Sequence, residues 1–253
     1  MPFSIVAWSE SEDEAGLYKA RKAVPDEIAI TTDDIIYVPA ETPILLGAYA
    51  AIGGTVEGAA YLQSPSLRAT ALFDIQPTQE GIKPSGDESL RLQPTSPIPL
   101  IGGEGVEAFV LSNPGADEVH TVVAWLADGP IAPITGTIFH VKFTAAITET
   151  VSVWVSGAIT LRQTLPVGRY AVVGAAMWGT SGIAFRFLPK GYANRPGFIT
   201  HSSEGNSGSD LQRNGGLGTW FEFDSKVPPQ IEWLAMATAG VAQSGVLDLI
   251  KVG

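Results

Sequence analysis

Gly47–Gly53 reads GAYAAIG, and Gly168–Gly174 reads GRYAVVG. Glycine, tyrosine, alanine and glycine occupy the same four places in both phrases, which lie 121 residues apart. The recurrence is not confined to seven residues. VEAFVLSNPGADEVHTVVAWLAD (106–128) lies over IEWLAMATAGVAQSGVLDLIKVG (231–253) without a gap, at an offset of 125. The likeness there is one of form rather than of identity. Each segment opens an apolar strand with Val-Glu or Ile-Glu, passes through a small-residue loop with a shared glycine (Gly115, Gly240), and ends on a second apolar strand. A proline-bearing turn precedes each (Pro97 and Pro99; Pro228 and Pro229), and a short strand, SLRLQ (89–93) or WFEFD (220–224), precedes the turn. Tyr49 stands 66 residues before Gly115, and Tyr170 stands 70 before Gly240. Recurrence of the same features in the same order implies two similar domains in tandem, each of about 110 residues.

Between Ile28 and the C-terminus, short runs rich in Val, Ile, Tyr, Phe and Thr alternate with Gly, Pro, Asn and Asp turns. Many short strands at this spacing predict an all-β chain of sandwiches or barrels. Long helical segments between the strands are missing, which argues against α/β enzyme folds. The expected strands number about eight in the first half and seven in the second, with 191–218 as the place for an eighth. Asp128–Gly136, DGPIAPITG, places two prolines and two glycines between the halves. The expected division is an N-terminal arm with a short helix (1–25), a first domain (26–129), a linker (130–136) and a second domain (137–253).

The helix is expected over 12–23. Ser11 and Glu14 fit a capping box, Leu17, Ala20 and Val24 follow at helical spacing, and Pro25 ends the pattern. Residues 1–20 carry no apolar core of a signal peptide, and no run of 18 apolar residues is present to span a membrane as a helix.

The 253 residues are 45% apolar, enough for a core, but only 16% charged. Burial of uncharged surface in an assembly and an abundance of Gly, Ser and Thr loops both account for that deficit. The net charge is −11, which disfavours recognition of phosphate backbones. Lys19, Arg21 and Lys22 form the densest basic cluster and read as a solvated helix face. Cysteine is absent, excluding disulfides and thiolate metal sites.

Catalytic signatures are lacking. His120, His140 and His201 are isolated from one another, and His120 and His140 lie on or beside strands, where a structural histidine is the simpler reading. A Ser-His-Asp set can be assembled on paper around His201, with Glu204 and Asp210 nearby, but no G-x-S-x-G elbow accompanies it. TTDD (31–34) and the acidic stretch 74–88 match no calcium-loop spacing, and no phosphate-binding glycine loop occurs. No cofactor, metal or catalytic residue is therefore assigned. Of six tryptophans most lie inside apolar strand runs; Trp178, in MWGTSG, is the candidate for an exposed sugar-stacking ring.

Two tandem β-domains in this length, with a short N-terminal helix, little charge and no catalytic signature, resemble the double jelly-roll major capsid proteins of tailless icosahedral viruses. The resemblance is architectural, covers 26–253 and rests on the duplication, not on a diagnostic motif. It implies two eight-stranded jelly rolls standing upright in the shell. Three chains would form a pseudo-hexameric trimer that contacts neighbouring capsid subunits in the virion. It also implies that the N-terminal helix lies on the inner face, where Lys19, Arg21 and Lys22 would meet a membrane or the genome without sequence-specific nucleic-acid binding. A spike or decoration subunit of a virion falls in the same class. The competing expectations are a two-domain carbohydrate-binding or adhesive protein, with Trp178 at its site, and a jelly-roll hydrolase, for which nothing in the sequence supplies a cleft.

Overall fold

A computed structural model describes residues 3–12, 18–52, 58–70, 73–78, 90–111, 118–178, 182–200, 212–235 and 242–253. These are nearly all β. The first half contains β1 (Phe3–Glu12), β2 (Tyr18–Ala20), β3 (Thr31–Thr32), β4 (Ile35–Tyr37), β5 (Ile44–Ile52) and β6 (Gly58–Gln63). A single short helix, α1 (Pro65–Thr70), is followed by β7 (Phe73–Thr78), β8 (Leu90–Leu92), β9 (Ile98–Pro99), β10 (Gly105–Leu111) and β11 (Glu118–Ala127). Proline at the first position of α1 loses no helical hydrogen bond, and Ser64 Oγ accepts the Leu67 amide as the cap.

The second half runs β12 (Phe139–Ala146), β13 (Val155–Leu161), β14 (Arg169–Trp178) and β15 (Gly182–Leu188), then β16 (Gly197–Ile199), β17 (Phe221–Asp224), β18 (Gln230–Ala235) and β19 (Ala242–Lys251). The strand expected somewhere in 191–218 is β16.

All strand ladders are antiparallel and nested. In the second half the first strand pairs with the last, the second with the seventh, the third with the sixth and the fourth with the fifth: β12·β19, β13·β18, β14·β17 and β15·β16. The first half repeats the nesting as β1·β11, β4·β10, β5·β8 and β6·β7. Here β2 adds to the edge of β10, β3 pairs with β4, and β9 extends β5. One sheet of the first half has the order β1-β11-β5-β8, and the other β3-β4-β10-β6-β7. The second half forms one eight-stranded ladder, β16-β15-β18-β13-β12-β19-β14-β17. It divides at β13, whose first residues pair with β18 and whose last pair with β12.

The packing is layered. Val6, Trp8, Ala48, Ala50, Val122 and Ala124 point from the β1-β11-β5 sheet onto Leu62, Val106, Ala108 and Val110 of the facing sheet. The opposite face of the same sheet, with Phe3, Ile5, Tyr49, Val123 and Trp125, enters a second core shared with Phe185, Phe187, Phe198 and Trp220. Direct bonds tie this seam: Trp125 Nε1 donates to Gly197 O at 3.2 Å, and the rings of Phe3 and Trp220 meet edge to face at 5.5 Å. At Gly197 a Cβ would fall 2.4 Å from Ile5 Cδ1, so only glycine lets β16 come this close to β1.

The N-terminal segment departs from expectation. Residues 3–12 are not an arm; they pair along their whole length with β11. The helix expected over 12–23 is not formed in its described residues. Glu12 ends β1, Tyr18–Ala20 is an edge strand on β10, and Ala23 bridges to Trp8. Tertiary pairing overrides the local helical pattern: the Arg21 amide donates to Ala108 O, the Ser9 amide to Lys22 O, and Val24 is buried in the seam core. Residues 13–17 of that expected helix lie outside the described residues.

The linker 130–136 contains no strand but is not loose. Ile131 is buried, its amide bonds Pro94 O, and the Ile134 amide bonds Gly215 O.

Two outcomes follow from one core spanning both halves. Urea unfolding should be a single cooperative transition by fluorescence and circular dichroism together; a second half that survives melting of the first would contradict it. Deleting residues 244–253 removes most of β19 from between β12 and β14 and should yield insoluble or unfolded chain, read by solubility and far-UV dichroism.

Candidate functional site

A cleft of about 830 Å³ opens at one end of the seam. Its walls include Glu27 and Glu41 from the first half and Tyr192, Arg195, Trp220 and Glu222 from the second. The 191–195 loop is held against β1. The Arg195 amide donates to Ser4 Oγ at 2.7 Å, Asn194 Nδ2 donates to Phe3 O, and the Ile5 amide donates to Arg195 O. Gly191, at φ +86°, makes the turn into the loop. Glu222 pairs with Arg169 at 2.5 Å, and Glu27 lies 3.7 Å from Arg195. Glycoside hydrolysis needs two carboxylates placed to act as acid and base. Two of the three glutamates here face a guanidinium instead; Glu222–Arg169 lies within the second half, and Glu27–Arg195 crosses between the halves.

Deeper in the seam lies a buried ionic cluster. Arg186, 2% exposed on β15, reaches Asp26 of the first half through Nη1 and Glu232 of β18 through Nε, each at 2.5 Å. Its Nη1 also donates to Ile5 O, and the guanidinium sits 4.2 Å from the centre of the Trp154 ring. A buried charge is tolerated only when paired and hydrogen-bonded in this way.

A second cluster lies on the outer side of β19. Asp248, fully buried, accepts Arg213 Nε and Nη2, the Asn214 amide and His140 Nδ1, all at 2.8 Å. Burial alone would push this carboxyl up; the bonds from Arg213, Asn214 and His140 together outweigh it and hold Asp248 below the ordinary carboxylate range. The segment carrying Arg213 is thereby strapped over β14, where a Cβ on Gly174 would meet Arg213 Cα at 2.9 Å.

The basic cluster foreseen in the sequence is dispersed. Lys19 lies on β2, and Arg21 is 1% exposed, with Nε donating to Lys19 O. Lys22 is exposed and paired with Glu10, which raises its pKa through the hydrogen bond and charge of that carboxylate. Arg21 is thus turned away from any external phosphate.

Trp178 is the last residue of β14, and the orientation of its ring lies outside the described residues. His120 is buried on β11, His140 is half exposed beside Asp248, and His201, Glu204 and Asp210 lie outside the described residues. Among the described residues no three His, Asp or Glu side chains stand together to share a cation. Sequence reading missed the Arg186 cluster. Its signal is an arginine inside the apolar strand GIAFRFL (182–188), a position that demands buried partners.

No protein-family model, no curated protein and no solved structure matches this chain.

Replacing Arg186 with Met leaves Asp26 and Glu232 facing each other without their cation and should cost about 3–5 kcal/mol in a urea titration. Asp248 gives a pH signature. Its native pKa is lowered, so its contribution is full above the unfolded carboxylate value of about 3.9. That contribution is lost as pH falls through the lower native value. The stability difference between the wild type and Asp248→Asn should therefore shrink as pH is taken below about 4, as followed by denaturation midpoints.

Proposed function

We propose that this chain is a virion structural protein, a double jelly-roll major capsid subunit that assembles as pseudo-hexameric trimers in an icosahedral shell. The observation that carries the reading is the nesting of four strand pairs, first with last and inward, present twice in tandem, with β2, β3 and β9 added in the first half. A hairpin of four strand pairs rolled into two facing sheets is the jelly-roll arrangement, found in viral capsid and lectin domains. Two such rolls fused through a common core make one stiff block, as a shell tile requires.

Surface character supports assembly. The outer face of the β4-β10-β6 sheet carries a row of rings, Tyr18, Tyr61 and Phe109, with successive centroids 5.0 Å apart. Tyr18 is 47% exposed and the other two are half-buried. A neighbouring subunit packed on this row would remove it from water and account for the low charge of the chain. Inner-face contact through an N-terminal helix is no part of the reading, because residues 18–23 are extended.

Solution mass by size exclusion with light scattering tests it. The expected value at micromolar concentration is three times 26.6 kDa, or a larger closed particle. A strict monomer at every concentration would sink the proposal. Tyr61→Arg should keep the dichroism spectrum while lowering the mass to that of one chain.

A further inference from the structure

We infer that the outer face of β13, β12 and β19 is a binding surface for an acidic glycan, a sugar chain that presents a single carboxylate. The inference does not depend on the capsid reading, because it rests on the residues this face exposes and not on assembly.

Its composition is unusual for this chain. Alternate residues of β12 turn outward as His140, Lys142, Thr144 and Ala146, all exposed. Ser156, Ala158 and Thr160 do so on β13, and Ser244 on β19. In register, Thr160, Thr144 and Ser244 stand side by side as a row of three hydroxyls. The next row holds Lys142 and, directly opposite it, Arg162, whose amide donates to Lys142 O at 2.8 Å. Like charges opposite each other on a sheet are destabilising. Neither of these two forms an ion pair among the described residues. Of the carboxylates in register with this face, Asp248 is buried and committed to Arg213, Asn214 and His140, and Glu232, opposite Ser156, is committed to Arg186. Two exposed cations thus stand together without a counter-charge on a chain of net charge −11.

Such a patch calls for an anion, and the charge of the whole molecule selects which kind. A polyanion such as nucleic acid or a heavily sulfated chain would be repelled by the acidic body before it reached two cations. A ligand with one carboxylate escapes most of that repulsion. The rest of such a ligand is hydroxyl groups, and the row Thr160–Thr144–Ser244 matches them. His140, half exposed and bonded through Nδ1 to Asp248, stands next to the cation row. The two rows lie about 7 Å apart on three strands about 10 Å across, the footprint of one or two sugar rings. The backbone register also places Trp178 opposite Ser244, at the end of the hydroxyl row.

The test is calorimetric titration of the full chain with sialyllactose, against lactose as the neutral probe and a heparin-derived oligosaccharide as the polyanion. Sialyllactose should bind roughly tenfold or more above lactose, the worth of one charge-assisted hydrogen bond. The Lys142→Ala/Arg162→Ala double variant should abolish that preference, and Thr144→Val/Thr160→Val should weaken sialyllactose while leaving charge unchanged. Lys226→Ala, in the exposed β17–β18 turn, should change nothing. Both altered pairs are exposed, and dichroism confirms their fold. Equal binding of lactose, tighter binding of the heparin oligosaccharide, no binding by any probe, or indifference to the double variant would each overturn the inference. The light-scattering mass reads the assembly separately, so failure of one proposal is distinguishable from failure of the other.

Discussion

The sheet β1-β11-β5-β8 is buried on both faces, and much of the structure answers to that constraint. A sheet with one wet face can alternate polar and apolar residues; a sheet with two dry faces cannot. Hence β11 reads EVHTVVAWLA and β5 reads ILLGAYAAI, with small residues where two layers approach at once. His120 and Thr121 are carried into the interior along with their strand. Ser9 Oγ meets Thr121 Oγ and Ser152 Oγ, each at 2.8 Å, so even the hydroxyls of this sheet are paired across the seam. The two halves therefore share one core, and the linker between them is packed rather than free.

The same constraint decides where positive charge goes. A seam this dry admits a cation only in a closed cluster, and Arg186 has one, with carboxylates from both halves and an aromatic face. Removing a partner would leave a charge stranded, so the cluster fixes which strands meet more than it adds to net stability. With Arg21 and Arg186 inside, the outward cations are fewer than the composition suggests. The opposed pair Lys142 and Arg162 stands out against that background.

Much of the strand pattern was legible because a β run in a half-wet sheet announces itself. The outward–inward alternation of β10 and β12 is of this kind. Chief among the strands missed was β1, FSIVAWSESE, whose apolar part does not alternate because both faces are covered, and whose polar end imitates a helix cap. The helical spacing of Leu17, Ala20 and Val24 was real but local, and pairing with β10 outweighed it. The offset of 125 lays Val106, Ala108 and Val110 over Ile231, Trp233 and Ala235, all buried. The tyrosines of the opening phrases are less equivalent. Both lie on the third nested strand of their half, β5 and β14, yet Tyr49 faces the seam while Tyr170 packs on Phe223 within its own half. Ion clusters were not legible, since their members are 160 and 46 residues apart in sequence and only folding joins them.

The repeat also explains why an aromatic row is left on the surface. At the 125 offset Glu232 corresponds to Glu107 and Leu234 to Phe109, and the register partners Arg186 and Ala184 correspond to Gln63 and Tyr61. One face of the repeat thus occurs twice. In the second half it is the dry seam, with Leu234 and Ala184 small enough to let another sheet settle on them, and Arg186 closes the ion cluster. In the first half the same face has no sheet above it among the described residues. There Gln63 replaces the arginine and its Nε2 donates to Glu107 at 3.4 Å, so among the described residues the carboxylate keeps no cation beside it on this half-exposed face. Tyr61 and Phe109 stack on each other with nearly parallel planes, 11° apart, and turn their edges outward. Rings held edge-out present little face for a flat sugar but pack well against other side chains. This face accordingly suits a protein surface, whereas the hydroxyl and cation rows on β12 and β13 suit a sugar.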